Sequence, residues 1–233
     1  MKHTKRILCV ALVLVLALSC AVFAGCNTKS EVKGLNTNKT SSTAEETKAE
    51  NSAMDKLPET GYKNPYTGSS KTVEIDVKDY GKITVLLDDT YAPLTVQNFL
   101  NLVNEGFYDG LTFHRIINGF MIQGGDPLGN GTGGSENQIK GEFSANGVEN
   151  NLKHERGVIS MARSNDMNSA SSQFFIMHED ASHLDGQYAS FGKVTSGMDV
   201  VDKIATTVKV EDSNGTVLKA NQPVITSIKI IEQ

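Results

Sequence analysis

The stretch FHRIINGFMIQGGD, Phe113 to Asp126, sets Arg115 two residues beyond a phenylalanine, follows it with Phe120, Met121 and Ile122, and closes on Gln123, two glycines and Asp126. Its two halves, TFHRII and FMIQG, are short and rich in β-branched and aromatic residues, with Asn118 and Gly119 between them, which reads as strand, turn, strand. A permanent cation therefore stands beside an apolar patch, with no nucleophile in the motif.

Outward from this stretch the same pattern recurs. GVISMA, SQFFIM and ASFGKV are further short β-rich runs separated by Gly, Asn and Ser clusters, the spacing of a sandwich or barrel. Upstream, KTVEIDVKDYGKITVLL alternates Val73, Ile75 and Val77 with polar residues, turns at KDYG, and resumes with Ile83, Val85 and Leu87, a hairpin signature. Val96, Phe99, Leu100 and Val103 recur at helical spacing between Pro93 and Glu105, with Gly106 just beyond and Asp88, Asp89 or Thr90 as candidate caps. A second helix is expected from SGMD, where Ser196 and Asp199 have capping-box spacing ahead of Val200, Val201, Ile204 and Ala205. SNGTVLKANQPVITSIKII then supplies a turn and closing strands.

The N-terminal region has a different character. Lys2, Lys5 and Arg6 precede an apolar run from Ile7 to Ala24 that stops at small residues leading into Cys26. That is the layout of an export signal, and FAGC resembles the lipobox of bacterial lipoproteins, with Phe23 where an aliphatic residue is usual; a retained membrane anchor is the competing reading. The expected division is a signal peptide over 1–25, lipidation at Cys26, a polar linker rich in Thr, Ser, Lys and Glu over 26–62, and one folded domain over 63–233. All three cysteines lie at or before position 26, so no disulfide framework is available to the domain.

The 233-residue chain carries 22 basic and 27 acidic residues, a formal charge of −5, and removal of the first 25 residues would take it to −8. Such a balance disfavours nucleic acid as a partner. GNGTGG matches GxGxxG through Gly129, Gly131 and Gly134, but neither a preceding strand nor a following apolar helix accompanies it, so a glycine-rich turn is expected. His178 and His183 stand five apart rather than four, which does not suit a helical metal site, and no metal or cofactor is called for. NSASSQF lacks a GxSxG elbow and the chain offers no obvious serine, histidine, acid arrangement. His114 and His154 are given no catalytic role, Asp126 and Asp185 are expected to form turns, and Glu142 and Phe143 to be structural. Asn38, Asn130 and Asn214 each open an Asn-x-Thr triplet, which carries no weight behind a bacterial export signal.

Taken together, FHRIINGFMIQGGD, NGTGG, GVISMARS, SSQFFI and HLDGQYASFGKV occur in the order found in cyclophilins, and the chain from about Thr72 to Gln233 closely resembles that family. The resemblance implies a mainly β fold, a closed eight-stranded antiparallel barrel capped by two α-helices, and peptidyl-prolyl cis-trans isomerase activity. It implies that Arg115, Gln123 and Phe120 are catalytic, and that Met121, Phe175, Leu184, Ala162, Arg163, Gln173, Gly131, His183 and Tyr188 contact substrate. Arg163 stands where well-known members have Asn, His183 where many have a tryptophan of the cyclosporin-binding rim, Tyr188 where His is frequent, and Asn118 where Pro is. Weakened cyclosporin binding with activity retained is expected. The anticipated partners are proline-containing unfolded or exported polypeptides and, through the lipid, the membrane, with the domain acting as a monomer outside the cytoplasm. A non-catalytic peptide-holding chaperone or a surface adhesion protein on the same barrel are the alternatives.

Overall fold

The computed structural model describes residues 70–231. The expected signal peptide (1–25), the expected lipidation at Cys26 and the expected linker (26–62) lie outside the described residues.

Eight strands form one antiparallel sheet: β1 (Lys71–Val77), β2 (Gly81–Leu87), β3 (Thr112–Ile117), β4 (Met121–Asp126), β5 (Val158–Met161), β6 (Phe174–Met177), β7 (Ser190–Ser196) and β8 (Ile225–Ile231), in spatial order β3-β4-β6-β5-β7-β2-β1-β8. The sheet curls until its end strands meet, with no full ladder between them. Thr112 and Val224 form an isolated bridge, and the amide of Gly110 and the carbonyl of Leu111 bond to Ile225. The free edge of β3 is instead covered by the segment at 214–217: Ile116 donates its amide to the Gly215 carbonyl and Val217 donates to that of His114.

The interior is filled by period-two alternation, as a pleated strand requires. Val73, Ile75 and Val77 of β1 and Ile83, Val85 and Leu87 of β2 are all buried in the main core. Two helices close it: α1 (Pro93–Asn104) buries Val96, Phe99, Leu100 and Val103, and α2 (Met198–Thr207) buries Val200, Val201, Ile204 and Ala205. Phe99 is the hub of an aromatic cluster, with ring centroids 5.1 Å from Tyr108, 5.5 Å from Phe174 edge-on and 5.3 Å from Phe191. These are favourable tilted and T-shaped separations.

Both helices start where the sequence reading places them, at Pro93 and within SGMD, but neither is capped as expected. α1 begins after Ala92 with no cap from Asp88, Asp89 or Thr90. Its exposed amides are met by the buried Glu142, which accepts from Leu94 N at 3.0 Å and from Thr95 N and Oγ1 at 2.8 and 2.7 Å. A carboxylate there suits the positive end of the helix dipole, and the local candidates were displaced by a residue far along the chain. At α2 the Ser196 and Asp199 box does not form. Ser196 is still the last residue of β7, and the helix starts from Gly197 at φ 87°, a left-handed turn that takes the serine out of reach.

Candidate functional site

The alternation that fills the core also builds a second apolar surface on the outer face of the same strands. On β4, Ile122 points into the main core while Met121 packs outside; on β6, Phe174 and Ile176 point in while Phe175 and Met177 point out. Met121, Val158, Phe175, Met177 and Ala181 form this satellite cluster, with Phe120, Ala162, Leu184 and Tyr188 packed against it. The register of β3 on β4 sets Arg115 opposite Gln123, and that of β4 on β6 sets Gln123 opposite Phe175. An irregularity between Phe113 and Arg115 lets both Phe113 and Ile116 face the core while Arg115 faces out. Gly124 allows the approach, since a Cβ there would lie 2.8 Å from the Thr112 carbonyl oxygen.

The result is a cavity of about 320 Å³ lined by Arg115, Phe120, Met121, Gln123, Ala162, Arg163, Phe175, Leu184 and Tyr188. Met121 and Phe175 are its buried floor, while Phe120, Leu184 and Tyr188 are half-buried walls. Gln173 and Gly131 line a neighbouring, more polar cavity of about 280 Å³, which shares Gln123, Ala162 and Arg163 with the first. His183 lines neither, but its exposed ring stacks on Phe120 with centroids 5.6 Å apart. All twelve residues singled out in the domain thus gather around one two-part groove.

Arg115 is held on three sides. Its Nε donates to the Asn214 carbonyl at 2.8 Å, its Nη2 to Asn214 Oδ1 at 3.4 Å, and its Nη1 to Gln123 Oε1 at 3.2 Å. Burial pushes the guanidinium pKa down, opposed by Tyr188 and Asp212; a guanidinium remains a cation at neutral pH even so. A directional relay continues from it. Gln123 Nε2 donates to Gln173 Oε1 at 2.9 Å, and Gln173 Nε2 donates to the carbonyls of Gly131 and Gly133 at 3.2 and 2.7 Å. Because backbone carbonyls only accept and arginine only donates, the two amide orientations are fixed by their ends.

Sequence reasoning missed Asn214, noted there only as the start of a triplet. It sits in the loop at 212–216, shaped by Asp212, which accepts from Thr216 N and Oγ1. Asp126 does form a turn: its carboxylate accepts the amides of Leu128, Asn130 and Gly131, so that burial, which raises its pKa, is outweighed and the carboxyl is held low.

A serine, histidine, acid arrangement does exist, contrary to the sequence reading. His154 Nδ1 lies 3.0 Å from Asp185 Oδ1, and its Nε2 lies 3.0 Å from Ser160 Oγ and 3.1 Å from Ser190 Oγ. Both serines are fully buried, and the His154 ring is stacked under Phe175 at 6.0 Å. No substrate reaches it; it braces the cavity floor. Burial lowers the His154 pKa more than Asp185 raises it, so the neutral ring donates from Nδ1 and accepts a serine hydroxyl at Nε2.

The first cavity is lined by no carboxylate, histidine, thiol or aliphatic hydroxyl. What it offers is an apolar floor and an oriented cation, a combination suited to stabilising a changed charge distribution without transferring a proton.

Residues 72–231 match the family model described as cyclophilin type peptidyl-prolyl cis-trans isomerase/CLD. The chain is 46% identical over 149 residues to peptidyl-prolyl cis-trans isomerase B of Bacillus subtilis (strain 168), covering 64% of this chain and 95% of that one. It is 40% identical over 184 residues to peptidyl-prolyl cis-trans isomerase A of Dickeya dadantii (strain 3937), covering 75% and 92%. Among solved structures it resembles a Cryptosporidium parvum cyclophilin type peptidyl-prolyl cis-trans isomerase, with TM-score 0.63, 30% identity and coverage of 71% and 99%. A crystal structure of that protein in the presence of the dipeptide Ala-Pro gives TM-score 0.62 and 31% identity, with coverage of 70% and 100%.

Proposed function

The chain belongs to the cyclophilin-type peptidyl-prolyl cis-trans isomerase family, and from that premise we propose that Arg115, Gln123 and Phe120 carry the isomerisation on exported polypeptides at the outer face of the cytoplasmic membrane.

Rotation about a peptide bond meets a barrier of about 18 to 20 kcal/mol because the nitrogen lone pair is delocalised into the carbonyl. For X-Pro bonds the two isomers differ by only about 0.5 to 1 kcal/mol, so both are populated and exchange slowly. In the twisted state the lone pair is localised on the prolyl nitrogen and can accept a hydrogen bond. Arg115 provides the donor, since its contacts to Asn214, Gln123 and the Met121 sulfur leave an Nη2 N–H uncommitted at the cavity edge. Met121 and Phe175 seat the proline ring, with Phe120 and Leu184 beside it, while the rest of the peptide turns. Gln123 and Gln173 hold the arginine in register, and Ala162, Arg163, Gly131 and Tyr188 contact the flanking chain. A donor that counts only in the twisted state is differential binding of the transition state.

The single observation that supports this assignment is the pinned Arg115 fork above the Met121 and Phe175 floor. Its test is NMR measurement of cis-trans exchange in an Ala-Pro peptide with the protein and its Arg115→Ala variant. The variant should lose about a hundredfold in rate while still binding peptide. Peptide bound without acceleration by either protein would leave a holding chaperone or adhesion module on the same groove.

The location rests on the export-signal layout and on FAGC before Cys26. Intact mass of the membrane-associated protein tests it, a diacylglyceryl addition at Cys26 being the expected result. The domain acts as a monomer in this reading. With His183 stacked on Phe120 where many relatives carry tryptophan, cyclosporin binds weakly, which an inhibition titration checks.

A further inference from the structure

Three arginines lie among the described residues, and only Arg156 meets a carboxylate, Asp202 at 2.7 Å. The other two, Arg115 and Arg163, both line the first cavity, and Arg163 lines the second as well. Neither cavity has an Asp or Glu in its lining. The chain as a whole is acidic, with 27 acidic against 22 basic residues, so a groove whose only lining charges are cations is a local feature and not the background of the composition. The carboxylate whose charge acts on Arg115, Asp212, lines neither cavity.

Arg163 is fixed in place. Its guanidinium carbon sits 4.8 Å from the Tyr188 ring centre and 5.1 Å from that of Phe143. Its Nε donates to the Gln187 carbonyl at 3.1 Å, and its Nη1 to those of Ser164 and Asn165 at 2.8 and 3.4 Å. Carbonyls and ring faces orient the group without cancelling its charge, and its Nη2 makes no hydrogen bond among the described residues. An ordered, uncompensated cation thus stands where the two cavities join.

Building on the isomerase reading, we infer that the groove selects proline segments carrying an acidic side chain within two residues of the proline, and that Arg163 sets the preference. A peptide seated on Met121 and Phe175 must run past Ala162 to enter the second cavity, and so past Arg163. A carboxylate there meets a preorganised partner, and a lysine meets repulsion, the two-sided arrangement from which specificity is built.

The test is NMR exchange on the full chain with an uncharged Ala-Pro reference peptide and with sets carrying Glu, Gln or Lys two residues before or two residues after the proline. In at least one set, kcat/KM at low salt should fall in the order Glu, Gln, Lys, by about threefold per step, the scale of a part-exposed ion pair. The order should collapse in about 1 M salt, where the screening length is about 3 Å. Arg163→Lys should keep the order and Arg163→Gln should flatten it, whatever either does to the absolute rate; if Arg163 only pins its loop, Arg163→Gln would lower all peptides alike. Acceleration of every peptide with no charge order, or an order that survives in Arg163→Gln, overturns the inference alone. No acceleration even of the reference peptide overturns the isomerase reading and this inference with it.

Discussion

The Nε of Arg115 donates to the backbone carbonyl of Asn214 at 2.8 Å, across 99 residues of chain. Because the acceptor is a peptide oxygen, changing the Asn214 side chain removes only the longer Nη2 contact at 3.4 Å. Asn214→Ala should therefore slow turnover by no more than about threefold. Gly215→Ala should cost far more, because Gly215 has φ 82° and a Cβ there would overlap the Ile116 carbonyl oxygen. The left-handed conformation alone costs a non-glycine residue about 1 to 3 kcal/mol, and the clash must shift the loop that carries the acceptor. Exchange rates for the two variants decide; equal losses would mean that the side chain is what holds the arginine.

The amide relay makes a second prediction. Gln173 accepts from Gln123 and donates to the carbonyls of Gly131 and Gly133, and a carboxylate can do only the first. Gln173→Glu should set an anion against two carbonyl oxygens, release the glycine loop and lower kcat/KM by about tenfold, the scale of a lost part-buried bond. Faster amide exchange confined to residues 131–134 would accompany it. A rate unchanged from the native protein would remove Gln173 from the support of Arg115.

Stability should depend on pH through two buried imidazoles. Burial lowers the pKa of His114, whose ring nitrogens have no hydrogen-bond partner among the described residues, and that of His154. The unfolded chain, with ordinary values near 6.5, then binds protons that the folded chain does not. Stability is full above about pH 6.5 and declines as pH falls toward the lowered folded values. Asp126 and Asp185, held low despite burial by the bonds they accept, act in a separate window: their contribution is present above about pH 4 and is lost as pH falls through their folded values. Urea midpoints at pH 7.5 and 5 should differ, and His154→Gln should shrink the difference. A flat profile between these values would contradict the buried neutral rings.

Glu142 should matter to stability and not to turnover. Its carboxylate satisfies two helix amides and a buried hydroxyl from 47 and 48 residues away. Glu142→Ala should lower the unfolding free energy by about 2 to 4 kcal/mol, a lost cap plus unsatisfied donors. A lower urea midpoint at unchanged slope would show it, with Ala-Pro exchange preserved below the transition.

What the sequence disclosed follows from distance along the chain. Arg115 and Gln123 lie on neighbouring strands of one short motif and are paired in register, so their partnership was legible. Phe175 and Leu184 came with similarly unbroken strings. Asn214 was not legible, because it acts mainly through a backbone oxygen to which its identity is nearly irrelevant, from a loop whose place depends on the curled sheet. The α1 cap was misread for the same reason: Asp88 and Thr90 are near in sequence, but Thr90 N is bonded to Asp88 Oδ1 at 2.9 Å and the pair closes its own turn. At α2, capping-box spacing was present and the left-handed Gly197 defeated it. The brace of Ser160, His154, Asp185 and Ser190 is assembled from four separate places and has no linear signature.

The segment at 214–217 covers the free edge of β3 and also delivers the carbonyl that pins Arg115. An uncovered strand edge is a template for pairing with another chain. Lifting this segment therefore frees the cation and bares the edge in one motion, so the proposed donor's placement and the protection of the β3 edge against strand pairing are lost together.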